Sequence, residues 1–202
     1  MRLLGSQRII PSVQTLEDAE RAADSQCQIV YLLTGSLSTL GHYLHLLRAA
    51  DKEVMVNLDL FSGLARDSEA VSYLAASGAS GIISTHSDIL NCAAASRLYT
   101  IQRTFMLDSG SVDSSMRSLR HFVPDALELL PGPVAPRILP RLRAAYGNVA
   151  TIAGGLISGL HEADEIIRAG IDAVSTGNPD FWMYPVVPPS DRPTPEATMA
   201  AR

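Results

Sequence analysis

The chain has 202 residues, of which 47% are apolar, and this is enough for one domain with a substantial hydrophobic core. Its net charge of −5 does not favour nucleic acid as a partner of the whole surface, although a local basic patch can oppose the net sign. No apolar stretch is long enough to span a membrane, and the N-terminal apolar run is too short for a secretory signal. We therefore predict a cytoplasmic protein.

Two rare residue types restrict the chemistry. Cys27 and Cys92 lie far apart and match neither a redox pair nor a metal-ligand spacing, so we expect both to be reduced and structural. Lys52 is the only lysine, and it precedes a strand-like run. An aldolase that forms a Schiff base needs a lysine at the end of a strand, so the sequence disfavours that mechanism.

Eight strand-like runs follow one another along the chain. They cover residues 8–10, 28–34, 54–60, 81–85, 99–105, 126–130, 149–155 and 173–177. Helical patterns separate them at 16–24, 40–47, 69–77, 87–96, 113–121 and 134–146, and a seventh helix precedes the last strand. Ser158 can cap this seventh helix, and Gly170 can end it in a left-handed conformation. The strict alternation predicts an α/β fold whose eight parallel strands close into a compact (β/α)8 TIM-type barrel.

Prolines mark two further features of the chain. Pro140 interrupts the sixth helical pattern and should kink or split that helix, because proline lacks the N–H donor and clashes one turn back. After Trp182 the prolines are frequent and the apolar periodicity ends. We therefore predict a single barrel domain at 1–184 and a flexible proline-rich tail at 185–202.

Polar residues and glycines follow the predicted strands at the end where this fold places its sites. The candidate ligand-binding residues are Asp59, Arg103, Glu128, Gly154, Gly155, Ser175, Thr176, Gly177 and Asn178. Glycine backbone lets N–H groups converge on an anion, and the loops after strands 7 and 8 are the usual phosphate site of such barrels. The pattern suits a small phosphorylated polyol, with Arg103 on the phosphate and the two carboxylates on hydroxyls.

Each of these features has a simpler explanation. The glycines can be tight turns only, and Arg103 can pair with Asp59 or Glu128 solely to neutralise charge in the barrel mouth. His86 follows a strand and can be a general base, although a histidine in such a loop is more often a surface or capping residue. Residues 108–111 read as a loop before a helix cap. We assign no catalytic residue, no metal site and no cofactor.

Five arginines cluster on the fifth and sixth helices, which are neighbours in a barrel. They are Arg117, Arg120, Arg137, Arg141 and Arg143. Charge alone favours a solvated outer face. The alternative is a basic patch that contacts the backbone of RNA.

Several segments together resemble one protein family. They occur in the same order as in that family and cover residues 8–184. They are NLDLFSG at 57–63, GIIST at 81–85, IQRTFMLDS at 101–109, PD at 124–125, ELLPG at 128–132, AGGLI at 153–157 and STGN at 175–178. This combination is similar to the glycerol-3-phosphate-responsive antiterminators of bacterial glycerol operons. The resemblance implies a barrel that binds glycerol 3-phosphate as effector and then acts on leader mRNA to prevent transcription termination. The candidate ligand-binding residues coincide with the family motifs.

Three functions remain open from the sequence. The first is the ligand-sensing RNA-binding regulator without catalysis. The second is an isomerase, epimerase or lyase that acts on a small phosphorylated metabolite, because the same phosphate site serves many barrel enzymes. The third is a degenerate barrel kept as an interaction module. The sequence also leaves open whether the chain forms a homo-oligomer.

Overall fold

Eight parallel strands form a closed barrel, which confirms the predicted fold class. The computed structural model describes residues 4–183. The strands are β1 (Ile9–Val13), β2 (Ile29–Leu32), β3 (Glu53–Asn57), β4 (Gly81–Ser84), β5 (Tyr99–Phe105), β6 (Ala126–Leu130), β7 (Ala150–Gly154) and β8 (Ala173–Thr176). Each strand pairs with its neighbours in chain order, and β1 closes the barrel by pairing with β8. The predicted tail at 185–202 lies outside the described residues.

Seven helices follow β1 to β7 on the outside of the barrel. They are α1 (Leu16–Asp24), α2 (Leu37–Ala49), α3 (Ser68–Ser77), α4 (Ser87–Ala95), α5 (Ser109–Ser118), α6 (Ala135–Tyr146) and α7 (Leu160–Arg168). Single 3₁₀ turns lie at Leu58–Leu60, Gly132–Val134 and Pro179–Phe181. The two-residue strands Gly35–Ser36 and Phe61–Ser62 form a small separate sheet that the sequence did not predict. No helix within residues 4–183 is both long and apolar enough to cross a lipid bilayer.

Local capping chemistry corrects two helix starts. The carboxylate of Asp108 accepts from the Ser111 N–H at 2.7 Å, so α5 begins at Ser109, ahead of its predicted start. The predicted cap of α7 by Ser158 is wrong, because Gly159 holds the N-cap position and the Ser158 hydroxyl donates to Glu162 instead. The predicted left-handed glycine after α7 is correct, since Gly170 has φ +103°.

Of the two predicted effects of Pro140 on the sixth helix, a kink or a split, the split is wrong. Helix α6 runs without interruption from Ala135 to Tyr146, with Pro140 inside it. Pro140 lies on the exposed face, while Leu139 and Leu142 beside it are buried against the barrel. The packing of these leucines offsets a cost of about 3 kcal/mol for proline in a helix interior.

The strands alternate between two hydrophobic cores. Ile10, Tyr31, Met55, Ile101 and Ile152 belong to the cluster that fills the barrel interior. The residues between them pack outwards against the helices and form the larger second cluster. Because side chains alternate along a strand, this double burial makes the strands nearly continuous apolar runs and fixes which residues reach the mouth of the barrel.

Two hydrogen-bonded carboxylates join neighbouring strands at their amino ends. Asp172 accepts from the Thr151 N–H and hydroxyl, each at 2.9 Å, and from the Arg143 guanidinium at 2.9 Å. Asp125 accepts in the same way from the N–H and hydroxyl of Thr100, at 2.9 and 2.8 Å. These contacts lie at the end opposite to the one where barrel sites form, so they stabilise the fold.

Candidate functional site

A cleft of about 380 Å³ opens at the carboxyl ends of the strands. Residues from β1, β2, β5, β6, β7 and β8, or from the loops that follow them, line it. These are Ser12, Gln14, Leu33, Arg103, Glu128, Leu130, Gly155, Leu156, Ile157, Ser175, Thr176, Gly177 and Asn178. A volume of this size accommodates a small metabolite.

A buried ion pair forms the centre of this cleft. The Glu128 carboxylate is only 1% exposed, and one of its oxygens accepts from Arg103 Nε at 2.6 Å. The other oxygen accepts from the Ser175 hydroxyl at 2.7 Å. Within residues 4–183, the two terminal nitrogens of Arg103 donate to no protein acceptor. They are therefore available to an anion that enters the cleft.

Tyr31 lies in the barrel interior and interacts electrostatically with both members of this pair. Its hydroxyl is buried and has no hydrogen-bond partner within residues 4–183. Burial raises the pKa of Tyr31 well above its ordinary value, and the negative charge of Glu128 raises this pKa further. Tyr31 therefore keeps its proton and remains a hydrogen-bond donor beneath the ion pair.

The loop after β7 takes an unusual backbone conformation. Gly155 has φ +72°, and Leu156, which has a side chain, has φ +57°. A non-glycine residue in this region carries a conformational cost of about 1 kcal/mol or more. Gly155 accepts from the Gly132 N–H at 3.0 Å, while its own N–H has no acceptor within residues 4–183. The loop thus presents a backbone donor at the edge of the cleft.

The two other conspicuous glycines serve different purposes. A β-carbon at Gly154 would lie 2.5 Å from the Ser175 hydroxyl, so glycine allows the close packing behind Glu128. A β-carbon at Gly177 would meet nothing closer than 3.7 Å, and its φ lies outside the left-handed region. The Gly177 N–H also has no acceptor within residues 4–183. Glycine at 177 therefore leaves open space in the cleft.

The segment after Gly177 anchors this loop. The Asn178 side chain accepts from the Asp180 N–H and caps the 3₁₀ turn Pro179–Phe181. The Trp182 indole N–H donates to the Thr176 carbonyl at 2.9 Å, and the ring is buried. Loops after strands 7 and 8 together with a short extra helix are the usual phosphate site of a barrel of this kind.

Comparison with known proteins agrees with this geometry. Residues 9–182 match the family described as glycerol-3-phosphate responsive antiterminator. The chain belongs to this family.

Three relatives illustrate how far the similarity extends. The chain is 30% identical over 183 residues to the uncharacterized protein YgcP of Escherichia coli, which covers 90% of this chain and 95% of that one. It is 28% identical to the solved glycerol uptake operon antiterminator regulatory protein of Listeria monocytogenes, with a TM-score of 0.82 over 89% and 96% of the two chains. A solved glycerol uptake operon antiterminator-related protein of Thermotoga maritima is also 28% identical, with a TM-score of 0.78 over 87% and 97%.

In this antiterminator-family protein the cleft unites seven of the nine candidate ligand-binding residues. Gly154 lies behind the cleft, in contact with the Glu128 and Ser175 side chains. Asp59 does not line the cleft, because its carboxylate accepts from the Ser84 hydroxyl and from the N–H and hydroxyl of Thr85. Burial acts to raise the pKa of Asp59, but these hydrogen bonds outweigh burial and lower it.

Sequence reasoning missed the contribution of the first strand to the site. Ser12 and Gln14 line the cleft beside the Gly177 loop. The predicted first strand ended at Ile10, whereas β1 continues through Pro11 to Val13. A first strand extended past Pro11 would have placed Ser12 and Gln14 at its carboxyl end, where sites form.

His86 and Lys52, the histidine and the lysine considered for catalysis, lie away from the cleft. His86 occupies the N-cap position of α4, where its N–H donates to the Ser84 hydroxyl, and it does not line the cleft. Lys52 precedes β3 at the opposite end of the barrel, and its ammonium donates to the Ser25 carbonyl at 2.5 Å. Within residues 4–183, no group of three His, Cys, Asp or Glu side chains can hold a metal ion.

The five arginines of α5, α6 and the segment after α5 do not form one uniform patch. Arg143 forms an ion pair with Asp172 at the amino ends of the strands. Arg141 forms an ion pair with Asp113, at 2.5 Å, across the two helices. Arg117, Arg120 and Arg137 are exposed and form no ion pair within residues 4–183. Of the five arginines, these three are therefore the ones whose guanidinium groups can contact a polyanion.

Proposed function

We propose that this antiterminator-family protein binds glycerol 3-phosphate in the cleft and, in response, acts on a leader mRNA so that transcription does not terminate. The observation that carries the proposal is the convergence on one cleft of the Gly155 and Gly177 N–H donors and the Arg103 guanidinium. The family is one of glycerol-3-phosphate responsive regulators, and this supports the choice of ligand.

The polar groups of the cleft match the two ends of such a ligand. The phosphate is placed against the Gly155 and Gly177 loops, with the terminal nitrogens of Arg103 as its cationic partner. The hydroxyl end is placed against Glu128 and Gln14. Each Glu128 oxygen already accepts one hydrogen bond, and a carboxylate oxygen accepts a second through its other lone pair.

The same contacts favour a sensor over an enzyme. Within the cleft, Glu128 is the only carboxylate, and it is neutralised by Arg103 and held by Ser175. General acid-base catalysis requires a group whose proton is free to move to the substrate, and His86 and Lys52 lie elsewhere. We propose that the ligand acts as an effector, with no cofactor and no metal, in the cytoplasm where transcripts are made.

Two measurements test the proposal. Isothermal titration calorimetry should give saturable binding of glycerol 3-phosphate and at least about tenfold weaker binding of glycerol or inorganic phosphate, because each lacks one half of the contacts. RNA that copurifies with the protein from cells should change in amount or sequence when glycerol 3-phosphate is added. Equal affinity for all three compounds would contradict the ligand assignment, and absence of copurified RNA in both conditions would contradict the RNA role.

A further inference from the structure

A second cleft, of about 370 Å³, lies beside the first one, between β5 and α5. The strand contributes Gln102 and Phe105, and the helix contributes Ser111, Ser114, Ser115 and Ser118. These serines are spaced at i, i+3, i+4 and i+7, so they form one continuous face of α5. The cleft was not predicted from the sequence.

Its floor is polar, in contrast to the outward face of the neighbouring strand β6. The outward-facing residues of β5 are Thr100, Gln102 and Thr104, whereas β6 presents Leu127 and Leu129 to its helices. Gln102 is 4% exposed, and its Nε2 donates to the Ser118 hydroxyl at 2.9 Å. Its Oε1 is buried without a partner within residues 4–183. An unsatisfied buried acceptor costs about 1–3 kcal/mol, so packing alone does not account for glutamine at this position.

The remaining groups define what could satisfy this acceptor. The Ser114 hydroxyl has no partner within residues 4–183, and the Ser118 oxygen accepts from Gln102 without donating to a described acceptor. At the rim, the Phe105 ring is 47% exposed. The cleft therefore combines neutral donors and an acceptor with an aromatic face, and Arg103, the one charged side chain in its lining, directs its Nε to Glu128 of the first cleft. This composition suits a flat, neutral, polar ring better than an anion.

We propose that this second cleft binds an unpaired base of single-stranded RNA, which stacks on Phe105 and bonds through its polar edge to Gln102 and the serine hydroxyls. Aromatic stacking and hydrogen bonds to exposed base edges are the usual way in which proteins recognise unpaired RNA. The assignment rests on the proposed RNA-binding function and gives it a location.

Neighbouring residues supply a contact for the RNA phosphate and a link between the two clefts. Arg117 is exposed and follows Ser114 by three residues, so it lies beside the serine face and can contact the phosphodiester next to the base. Arg103 lines both clefts, so a ligand in the first cleft touches a residue that forms a wall of the second. This shared wall provides a direct route by which the effector can alter the RNA site.

Filter binding with short single-stranded homopolymers of adenylate, uridylate and cytidylate, and with an RNA duplex as comparison, tests the site. The wild type should prefer a single strand. Phe105→Ala should weaken that binding about tenfold, and Ser114→Phe, which fills the cleft from an exposed position, should do the same. Tyr73→Ala is the matched control, because Tyr73 is 44% exposed on α3 and lies outside the cleft. Glycerol 3-phosphate affinity should stay unchanged in all three variants, which also reports that they are folded.

Photo-cross-linking of RNA that contains 4-thiouridine provides the second measurement, with the expected cross-link in residues 102–118. Wild-type affinity in both cleft variants, or cross-links confined to α6, would overturn the base site while leaving the proposed function intact. No RNA binding by the wild type, with or without glycerol 3-phosphate, would overturn both. Competition by free ribose or glycerol as strong as that by uridine would identify a polyol site and would also overturn the inference.

Discussion

At the scale of single residues, the Glu128 carboxylate determines the character of the cleft. It is almost completely buried, and both of its oxygens are engaged by Arg103 and Ser175. A buried carboxylate without a partner is strongly unfavourable, so the pair must be considered as one unit. Arg103 therefore has a structural role through Nε, and its terminal nitrogens are the atoms proposed to contact the ligand.

The first prediction concerns this pair. Arg103→Ala should lower the free energy of unfolding by about 3 kcal/mol or more, because it leaves Glu128 buried and uncompensated. Arg66→Ala is the matched control, since Arg66 contacts Asp59 from a side chain that is 54% exposed, and it should change stability by no more than about 1 kcal/mol. Urea denaturation measures both values. Equal values for the two variants would show that the buried pair is not coupled to folding.

A second prediction separates the glycines of the phosphate loops. Gly177→Val should fold normally, because its β-carbon meets no close neighbour, but it should place a side chain where the phosphate is proposed to bind. Affinity for glycerol 3-phosphate should fall by about tenfold or more, since one hydrogen bond to a charged group contributes about 1.5–3 kcal/mol. Gly41→Val, on an open face of α2, adds the same side chain away from the cleft and should bind normally. Unchanged calorimetric affinity in a folded Gly177→Val variant would remove Gly177 from the site. Gly155→Val is a poorer test, because valine at φ +72° would strain the backbone whether or not ligand binds.

At the scale of elements, the barrel is stabilised at one end and open to ligand at the other. Asp172 links β7 and the start of β8 to α6 through Thr151 and Arg143. Burial acts to raise the pKa of Asp172, but the hydrogen bonds from Thr151 and Arg143 outweigh burial and lower it. The folded state therefore holds this carboxylate in its charged form more strongly than the unfolded chain does.

The third prediction follows from the sign of that shift. A lowered folded pKa contributes stability that is present above about pH 4, the ordinary pKa of aspartate, and that is lost as the pH falls through the lowered value. Asp172→Asn should be less stable at neutral pH and should lose less stability than the wild type on acidification. Asp113→Asn, which breaks an exposed pair with Arg141, is the matched control and should change stability at neutral pH by no more than about 1 kcal/mol. Thermal unfolding measured from pH 7 down to pH 3 tests this, and parallel wild-type and Asp172→Asn profiles would contradict it.

The order of the elements could be predicted from the sequence because buried parallel strands and amphipathic helices have different apolar periods. The limits of some elements could not, because single residues with opposing preferences lie near them. Pro11 hides the end of β1, and Pro140 suggests a break in α6 that the packing of Leu139 and Leu142 prevents. Asp59 follows a strand in the same way as Glu128, yet it bonds to Ser84 and Thr85, which only the three-dimensional arrangement reveals.

The second cleft could not be predicted from the sequence at all. It depends on Gln102 facing outwards and on the serine face of α5 facing the same space, which is a matter of strand and helix orientation. Five serines in one short helix read as a weak, solvent-exposed helix when no partner is known. A buried acceptor is recognised only once the neighbours of its side chain are known.

At the scale of the whole molecule, the distribution of reactive groups favours binding over turnover. The only lysine is held at the amino ends of the strands, and His86 serves at the start of α4. A barrel enzyme needs its proton-transfer groups at the carboxyl ends, within hydrogen-bond reach of the substrate. In this barrel the cleft at that end is lined by Arg103, by Glu128, which is bonded to it, and by glycine loops.

The fourth prediction is that glycerol 3-phosphate remains chemically unchanged. Long incubation with excess protein should return the compound intact, because Glu128, the carboxylate in the cleft lining, is held by Arg103 and Ser175. Phosphorus NMR of the mixture measures this directly. A new phosphorus signal that requires the protein and disappears in His86→Ala or Asp59→Asn would instead support an isomerase, epimerase or lyase.

The position of Trp182 gives the protein a built-in optical reporter. It is the only tryptophan in the chain, its ring is buried, and its indole N–H is bonded to the carbonyl of Thr176, next to the Gly177 loop. Any ligand that pulls on this loop alters the surroundings of the single indole. Ultraviolet emission of the unlabelled protein can therefore follow occupancy of the first cleft in real time, including its kinetics.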